Sequence, residues 1–333
     1  MKRRDFIKMG AGFGAVMAST TPLSPAFAQT KMVLKAADVH PLGYPTVEAV
    51  LSMGKKLEAA TNGRLTIQMF PSMQLGGEKE MIEQAQLGAL QIARISVGAV
   101  GPVVDDVNVF NMPFVFRNSK HMEKVIDGEI GDELLTKIST NEKTNLIALC
   151  WMNAGSRNVY NNKRPIRSMA DLKGLKVRMM GNPLFVDTMN ALGGNGVALG
   201  FDQVFSSMQT GVVDGAENNA PSFMAQNHYQ VAKYFTMTEH LIIPELVVFS
   251  RISWQKLSPE DQALIKKLSK EMQQEQRVLW YAAENAAIEK MKAAGTEIIT
   301  DIDKKPFQDA VKPVWDKYGA KYAAMVKRIE AVN

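Results

Sequence analysis

The chain has 333 residues, 46% of them hydrophobic and 22% charged, which excludes a disordered or fibrous protein and leaves room for two lobes with separate cores. Of the formal charge of +5, most comes from Lys2, Arg3, Arg4 and Lys8 near the start, and the remainder is close to neutral with lysines interleaved among acids. Such a body offers no electrostatic footprint for nucleic acid.

The chain opens MKRRDFIKMGAGFGAVMASTTPLSPAFAQT: a basic head, a weakly apolar stretch from Met9 to Ala18, and Ala26-Phe27-Ala28 in an A-x-A cleavage pattern. Residues 1–28 therefore read as a secretory signal, and Arg3-Arg4 before Asp5-Phe6-Ile7-Lys8 resembles the twin-arginine form that exports folded proteins. Gly10, Gly12 and Gly14 imitate a dinucleotide loop but lack the preceding strand that such a loop needs. No later apolar run reaches the roughly twenty residues that cross a bilayer, so a soluble periplasmic product is expected.

From Lys31 short strands and helices alternate. KMVLKAAD reads as a strand, and Val47, Val50, Leu51, Gly54 and Leu57 fall on one face of a helix that stops at Asn62-Gly63. RLTIQMF alternates as a strand, Gly77 to Leu87 reads as a helix, and ALQIARIS as a strand, the rhythm of an α/β sheet. The lone cysteine, Cys150, lies in the apolar run NLIALCW and reads as a buried apolar residue. His40, His121, His228 and His240 lack ligand spacing, so no metal site is expected.

After that run the rhythm restarts. Ser168 and Asp171 form a capping pattern, Gly174 closes the turn, and LKVRMM follows as a strand with Leu175, Val177 and Met179 on one face and Lys176, Arg178 and Met180 on the other. NPLFVDTMNALGG is a helix, GVALG a strand, DQVFSSMQTG a helix, and VVDGAENN a strand ending in Asn218-Asn219. Arg178 and the two asparagines thus stand where strands end, the edge at which open α/β sheets bind ligands. A guanidinium in such a strand needs an anion, supplied either by Asp171 or Asp187 or by a ligand. From Ser258-Pro259-Glu260-Asp261 no proline or glycine intervenes until Gly295, which predicts one helix roughly 55 Å long at about 1.5 Å per residue. Leu264, Ile265, Leu268, Met272, Leu279, Ala282, Ala286 and Met291 are its expected contact stripe along two bodies.

The leader, QLGGEKEMIEQAQLGAL, NMPFVF, DLKGLKVR, FSSMQTGVVDGAENN and the long helix together resemble the solute-binding proteins of tripartite ATP-independent periplasmic (TRAP) transporters, the dicarboxylate-receptor family. The resemblance covers the mature chain and implies a type II-like periplasmic binding protein of α/β class: two lobes, residues 29–154 with 244–283 and residues 155–243 with 284–333, and a long helix spanning both. It implies a receptor without cofactor or catalytic residue that hands an organic acid to a small and a large membrane subunit driven by an ion gradient. A monomer and a dimer joined through the long helix both fit.

By the same resemblance Arg178 grips the ligand carboxylate, which its planar fork can bind bidentately. Arg157 in NAGSRNVYNNK matches a second ligand-facing arginine, although by itself it reads as a loop residue. Asn218 matches a ligand-contacting amide and Asn219 is its neighbour, with a helix cap before Pro221 as the alternative. Phe201 matches a lining aromatic. ADVHPLGYPTV, GGEKEMIEQAQLGALQIARIS and GAENNAPSF look like the branch that takes hexuronates such as glucuronate or galacturonate. His40, Glu78 and Arg94 are then candidates for the sugar hydroxyls; otherwise His40 is a loop residue, Glu78 favours a helix N-terminus, and Arg94 pairs with a neighbouring acid. A C4-dicarboxylate or another hydroxy acid is the alternative ligand, and an exported enzyme the remote alternative function.

Overall fold

The structure, a computed structural model, describes residues 31–333; the signal read over residues 1–28 lies outside the described residues. Among the described residues eleven strands run in chain order: β1 (Met32–Ala37), β2 (Leu65–Phe70), β3 (Ile92–Ser96), β4 (Leu146–Met152), β5 (Ser156–Asn161), β6 (Lys176–Met179), β7 (Asn195–Ala198), β8 (Gly215–Asn218), β9 (Tyr234–Ile242), β10 (Glu245–Ser250) and β11 (Glu297–Ile299). They form a five-stranded sheet ordered β2-β1-β3-β10-β4 and a six-stranded sheet ordered β11-β9-β5-β8-β6-β7. The chain leaves the first sheet between β4 and β5 and returns between β9 and β10.

The alternation expected before Ser156 is present, and the helix Pro45–Ala60 ends where Asn62 and Gly63 take positive φ of 50° and 77°. Five strands lie beyond those read from the sequence: β4, which the apolar run NLIALCW forms, and β5, β9, β10 and β11. The sheets are accordingly mixed. β10 runs antiparallel between β3 and β4, and β5 antiparallel between β8 and β9. An antiparallel strand brings its N-terminal end to the edge where its parallel neighbours bring their C-terminal ends. Glu245, first in β10, therefore lies opposite Ser96, last in β3.

The long helix spans Pro259–Ala293, 35 residues or about 52 Å, and starts with Ser258 Oγ accepting from the Asp261 N–H at 3.2 Å. Ile265, Leu268 and Met272 join Met53, Leu57 and Phe249 in the core beneath the first sheet, whereas Ala287 and Met291 join Tyr160, Phe223 and Phe235 beneath the second. The expected contact stripe is wrong in its middle: Leu279, Ala282 and Ala286 are exposed, and Gln273, Gln276 and Trp280 are buried instead. The cause is the chain crossing. Gln276 accepts from the Asn153 N–H at 2.9 Å and donates to the Asn153 carbonyl at 2.8 Å, and Gln273 accepts from the Trp151 N–H at 3.2 Å. Backbone groups leaving a sheet need partners, so two amides occupy helix positions that hydropathy would give to apolar residues. Asn153 also donates to buried Glu123 at 2.7 Å and accepts from the Gly155 N–H at 2.7 Å, and Gly155 holds a positive φ of 60°.

The C-terminal segment touches both halves. Lys317 Nζ and Tyr318 OH reach Asp187 at 2.7 and 2.5 Å, while Lys321 and Tyr322 hold Asp105. Among the described residues no helix is long and apolar enough to cross a membrane, and no group of side chains is arranged to hold a metal ion.

Candidate functional site

His40, Glu78, Arg94, Arg157, Arg178, Phe201, Asn218 and Asn219, from distant parts of the sequence, line one cleft between the sheet edges. Val39, Ser96, Met180, Ser222 and Glu245 complete its lining.

Arg178 occupies the third position of β6, where alternation sends Val177 and Met179 into the core and the arginine to the other face. It is only 3% exposed. Its Nε donates to the Leu199 carbonyl at 2.9 Å, and the Phe201 ring lies 5.8 Å from the guanidinium carbon. Neither internal anion weighed from the sequence reaches it. Asp171 completes a capping box with Ser168, and Asp187 is held by Lys317 and Tyr318. Among the described residues no carboxylate lies within the 4.0 Å of an ion pair with Arg178. Burial pulls this guanidinium below its usual pKa; Glu217 offsets part of the drop, and Arg157 adds to it. The side chain is a buried cation still short of a counter-charge.

Arg157 differs. It sits on β5 rather than in a loop, and its Nε and Nη2 engage both oxygens of Glu217, the latter at 2.8 Å, while Nη1 donates to Asn218 Oδ1 at 2.9 Å. Against the cost of burial, Glu217 holds the Arg157 guanidinium above its usual pKa. The pair is internally neutral and orients the amide beside it. Asn218 Oδ1 accepts from Arg157 and from the Asn219 N–H at 2.9 Å, which turns Nδ2 out as the amide's uncommitted donor. The helix cap belongs to Asn219, whose Oδ1 accepts from the Ser222 N–H at 2.8 Å.

On the opposite wall Arg94, 1% exposed, is surrounded by acids. Nη1 lies 3.0 Å from Glu78 Oε1 and 2.5 Å from Glu245 Oε2, and Nη2 lies 2.5 Å from Asp38 Oδ1 and 2.8 Å from His40 Nδ1. The three carboxylates hold its pKa well above the usual value against the penalty of burial. Glu78 opens the helix Glu78–Leu87 and also accepts from the Ser96 N–H at 2.8 Å, so its position serves helix and site together. His40 stacks on Tyr44 at 3.7 Å and meets Ser222 Oγ through Nε2 at 3.1 Å. Burial, with Arg94 second, lowers its pKa and keeps the ring neutral.

Sequence reasoning missed Asp38, Glu217 and Glu245. Glu245 carried the signal that singled out Arg178, a charged residue at the edge of an apolar run, here ELVVF. The C-terminal ends of strands do not reveal it, because an antiparallel strand brings its start, not its end, to that edge.

Residues 36–321 match the model of bacterial extracellular solute-binding protein, family 7. A TRAP periplasmic solute binding protein from Pseudomonas putida F1 with bound D-glucuronate is similar at TM-score 0.89 and 59% identity, covering 91% of this chain and 98% of that one. One from Citrobacter koseri with bound D-glucuronate gives 0.89 at 47% identity over 91% and 100%, whereas its apo, open structure gives 0.79 over 90% and 98%. One from Bradyrhizobium sp. in complex with α/β-D-galacturonate gives 0.86 at 42% identity over 90% and 99%. With its two lobes, its spanning helix and a cleft centred on a buried cation, the chain belongs to the family 7 bacterial extracellular solute-binding proteins.

Proposed function

We propose that the protein is an exported, non-catalytic receptor that captures a hexuronate, glucuronate or galacturonate, between its lobes and delivers it to the small and large membrane subunits of a TRAP transporter. The observation that carries this reading is Arg178, a buried guanidinium in the cleft without a carboxylate partner among the described residues. A uronate carboxylate supplies that partner, and Asn218, Glu78 and the Arg94 cluster supply donors and acceptors for ring hydroxyls. The uronates bound by the similar proteins support the same assignment. The leader at residues 1–28 supports export to the periplasm.

Titration calorimetry with D-glucuronate tests it. Arg178→Ala removes one member of a buried charge pair and is expected to weaken binding by about 2–5 kcal/mol while the unliganded protein keeps its fold. Wild-type affinity in Arg178→Ala, or no binding of either uronate by the wild type, refutes the reading.

A further inference from the structure

The two walls of the cleft carry opposite charge balances. The wall from the six-stranded sheet sets Arg157 and Arg178 against Glu217 alone, an excess of one positive charge. The wall from the five-stranded sheet and its connections sets Asp38, Glu78 and Glu245 against Arg94 alone, an excess of two negative charges when all are ionised. Glu78 and Glu245 share a single nitrogen of Arg94, each through one oxygen. Their other oxygens, Glu78 Oε2 and Glu245 Oε1, have no hydrogen-bond partner among the described residues, and both side chains line the cleft.

We infer that Glu245, acting with Glu78, is the specificity element that makes this receptor accept a sugar acid bearing one carboxylate and a polyol end, and reject a sugar acid with a carboxylate at both ends. This rests on the hexuronate reading and adds to it which end of the ligand faces which wall. A ligand carboxylate satisfies Arg178. The far end then meets carboxylate oxygens with spare acceptor capacity, which hydroxyls fill by donating, whereas a second carboxylate has no proton to donate and faces like charge in a desolvated site. Arg94 cannot rescue the second carboxylate, because both of its terminal nitrogens are already committed to Asp38, Glu78 and Glu245 and its Nε, though unpartnered, is buried away from the cleft surface.

The wall is also sensitive to pH. The groups facing Glu245 are Arg94 on β3, Asp38 after β1, Tyr44 before the helix Pro45–Ala60, Glu78 at its helix start, and Arg157 on β5. Burial, together with Glu78 and Asp38 and against Arg94, pushes the Glu245 carboxyl up to about 7. Acidification from pH 8 to 6 therefore lowers the negative charge of this wall and relaxes the rejection.

The test compares D-glucuronate with D-glucarate, in which the uronate's aldehyde carbon is a second carboxylate, by calorimetry at pH 8 and pH 6. The wild type should prefer D-glucuronate by about 100-fold or more at pH 8, and less at pH 6. Glu245→Gln, which removes charge at constant shape, should narrow the preference by about tenfold and abolish its pH dependence. Glu78→Gln, at a more accessible position, should narrow it in the same direction and serves if Glu245→Gln does not fold. A purely structural role would weaken both ligands equally. A preference unchanged in the variants that bind D-glucuronate, or wild-type D-glucarate binding as tight as D-glucuronate, overturns the inference and leaves the receptor reading standing. Absence of any uronate binding by the wild type overturns both.

Discussion

Gly98 sits in the short helix Val97–Val100 directly after β3, and it faces Met180 and Phe185 from the other half of the molecule. A Cβ built there would stand 2.5 Å from Phe185 Cε2 and 2.6 Å from Met180 Cε, closer than real Cβ atoms approach carbon. Met180 has a flexible end, but the Phe185 ring is fully buried and has nowhere to retreat. Overpacking of this kind costs about 1–3 kcal/mol. In Gly98→Ala that cost falls on the arrangement in which the two halves meet, because within its own helix alanine is favoured over glycine by roughly 0.5–1 kcal/mol. In the proposed receptor uronate binding goes with closure, so the dissociation constant should rise by about 5-fold to 150-fold while the ligand-free melting temperature stays level or increases. Calorimetry with D-glucuronate and thermal denaturation without ligand read the two effects separately. Unchanged affinity, or a ligand-free melting temperature that drops as far as binding weakens, would refute the argument that glycine at 98 is what lets the halves approach.

Cys150 is fully buried in β4, and burial pushes its thiol up to about 12, so the folded protein should resist thiol-reactive reagents at pH 8 and react only after denaturation; rapid labelling of the native protein followed by mass spectrometry would contradict this. His240 is buried with its Nδ1 on Thr238 Oγ1 at 2.8 Å, and burial lowers its pKa from the usual 6.5 to about 4. Between those values the unfolded chain binds more protons than the folded one, so stability is complete above pH 6.5 and falls as the pH drops through 4, by on the order of 3 kcal/mol for this group. Urea denaturation at pH 7 and pH 4.5 should show a smaller acid loss in His240→Gln than in the wild type; equal losses would assign the acid sensitivity elsewhere.

Much of the site was legible because it is built from short elements with strong local signals. β6 announced itself by alternation, and Arg178 broke an otherwise apolar pattern at a strand end. What the sequence withheld was pairing. Arg157 looks as available as Arg178 until β5 lies beside β8 and Glu217 takes its guanidinium. Arg94 and Glu78 are 16 residues apart, but Glu245 reaches the same nitrogen from 151 residues away, and no local pattern registers that distance. Likewise Gln273 and Gln276 read as surface positions, since the backbone they satisfy, at Trp151 in β4 and at Asn153 just beyond it, lies more than a hundred residues earlier. Periodicity reports what each segment does alone; the charge balance of the cleft is a property of which segments meet.

The unmatched guanidinium of Arg178 also bears on when the molecule changes shape. Shutting the halves over that cation with neither water nor an anion beside it would forfeit its hydration for nothing, a penalty of several kcal/mol. An unloaded receptor is thereby biased toward staying agape, and a guest's carboxylate removes the objection at the moment of capture. In the proposed receptor one side chain would thus tie cargo to conformation, and a membrane partner that reads only the shut form would seldom be troubled by an empty carrier.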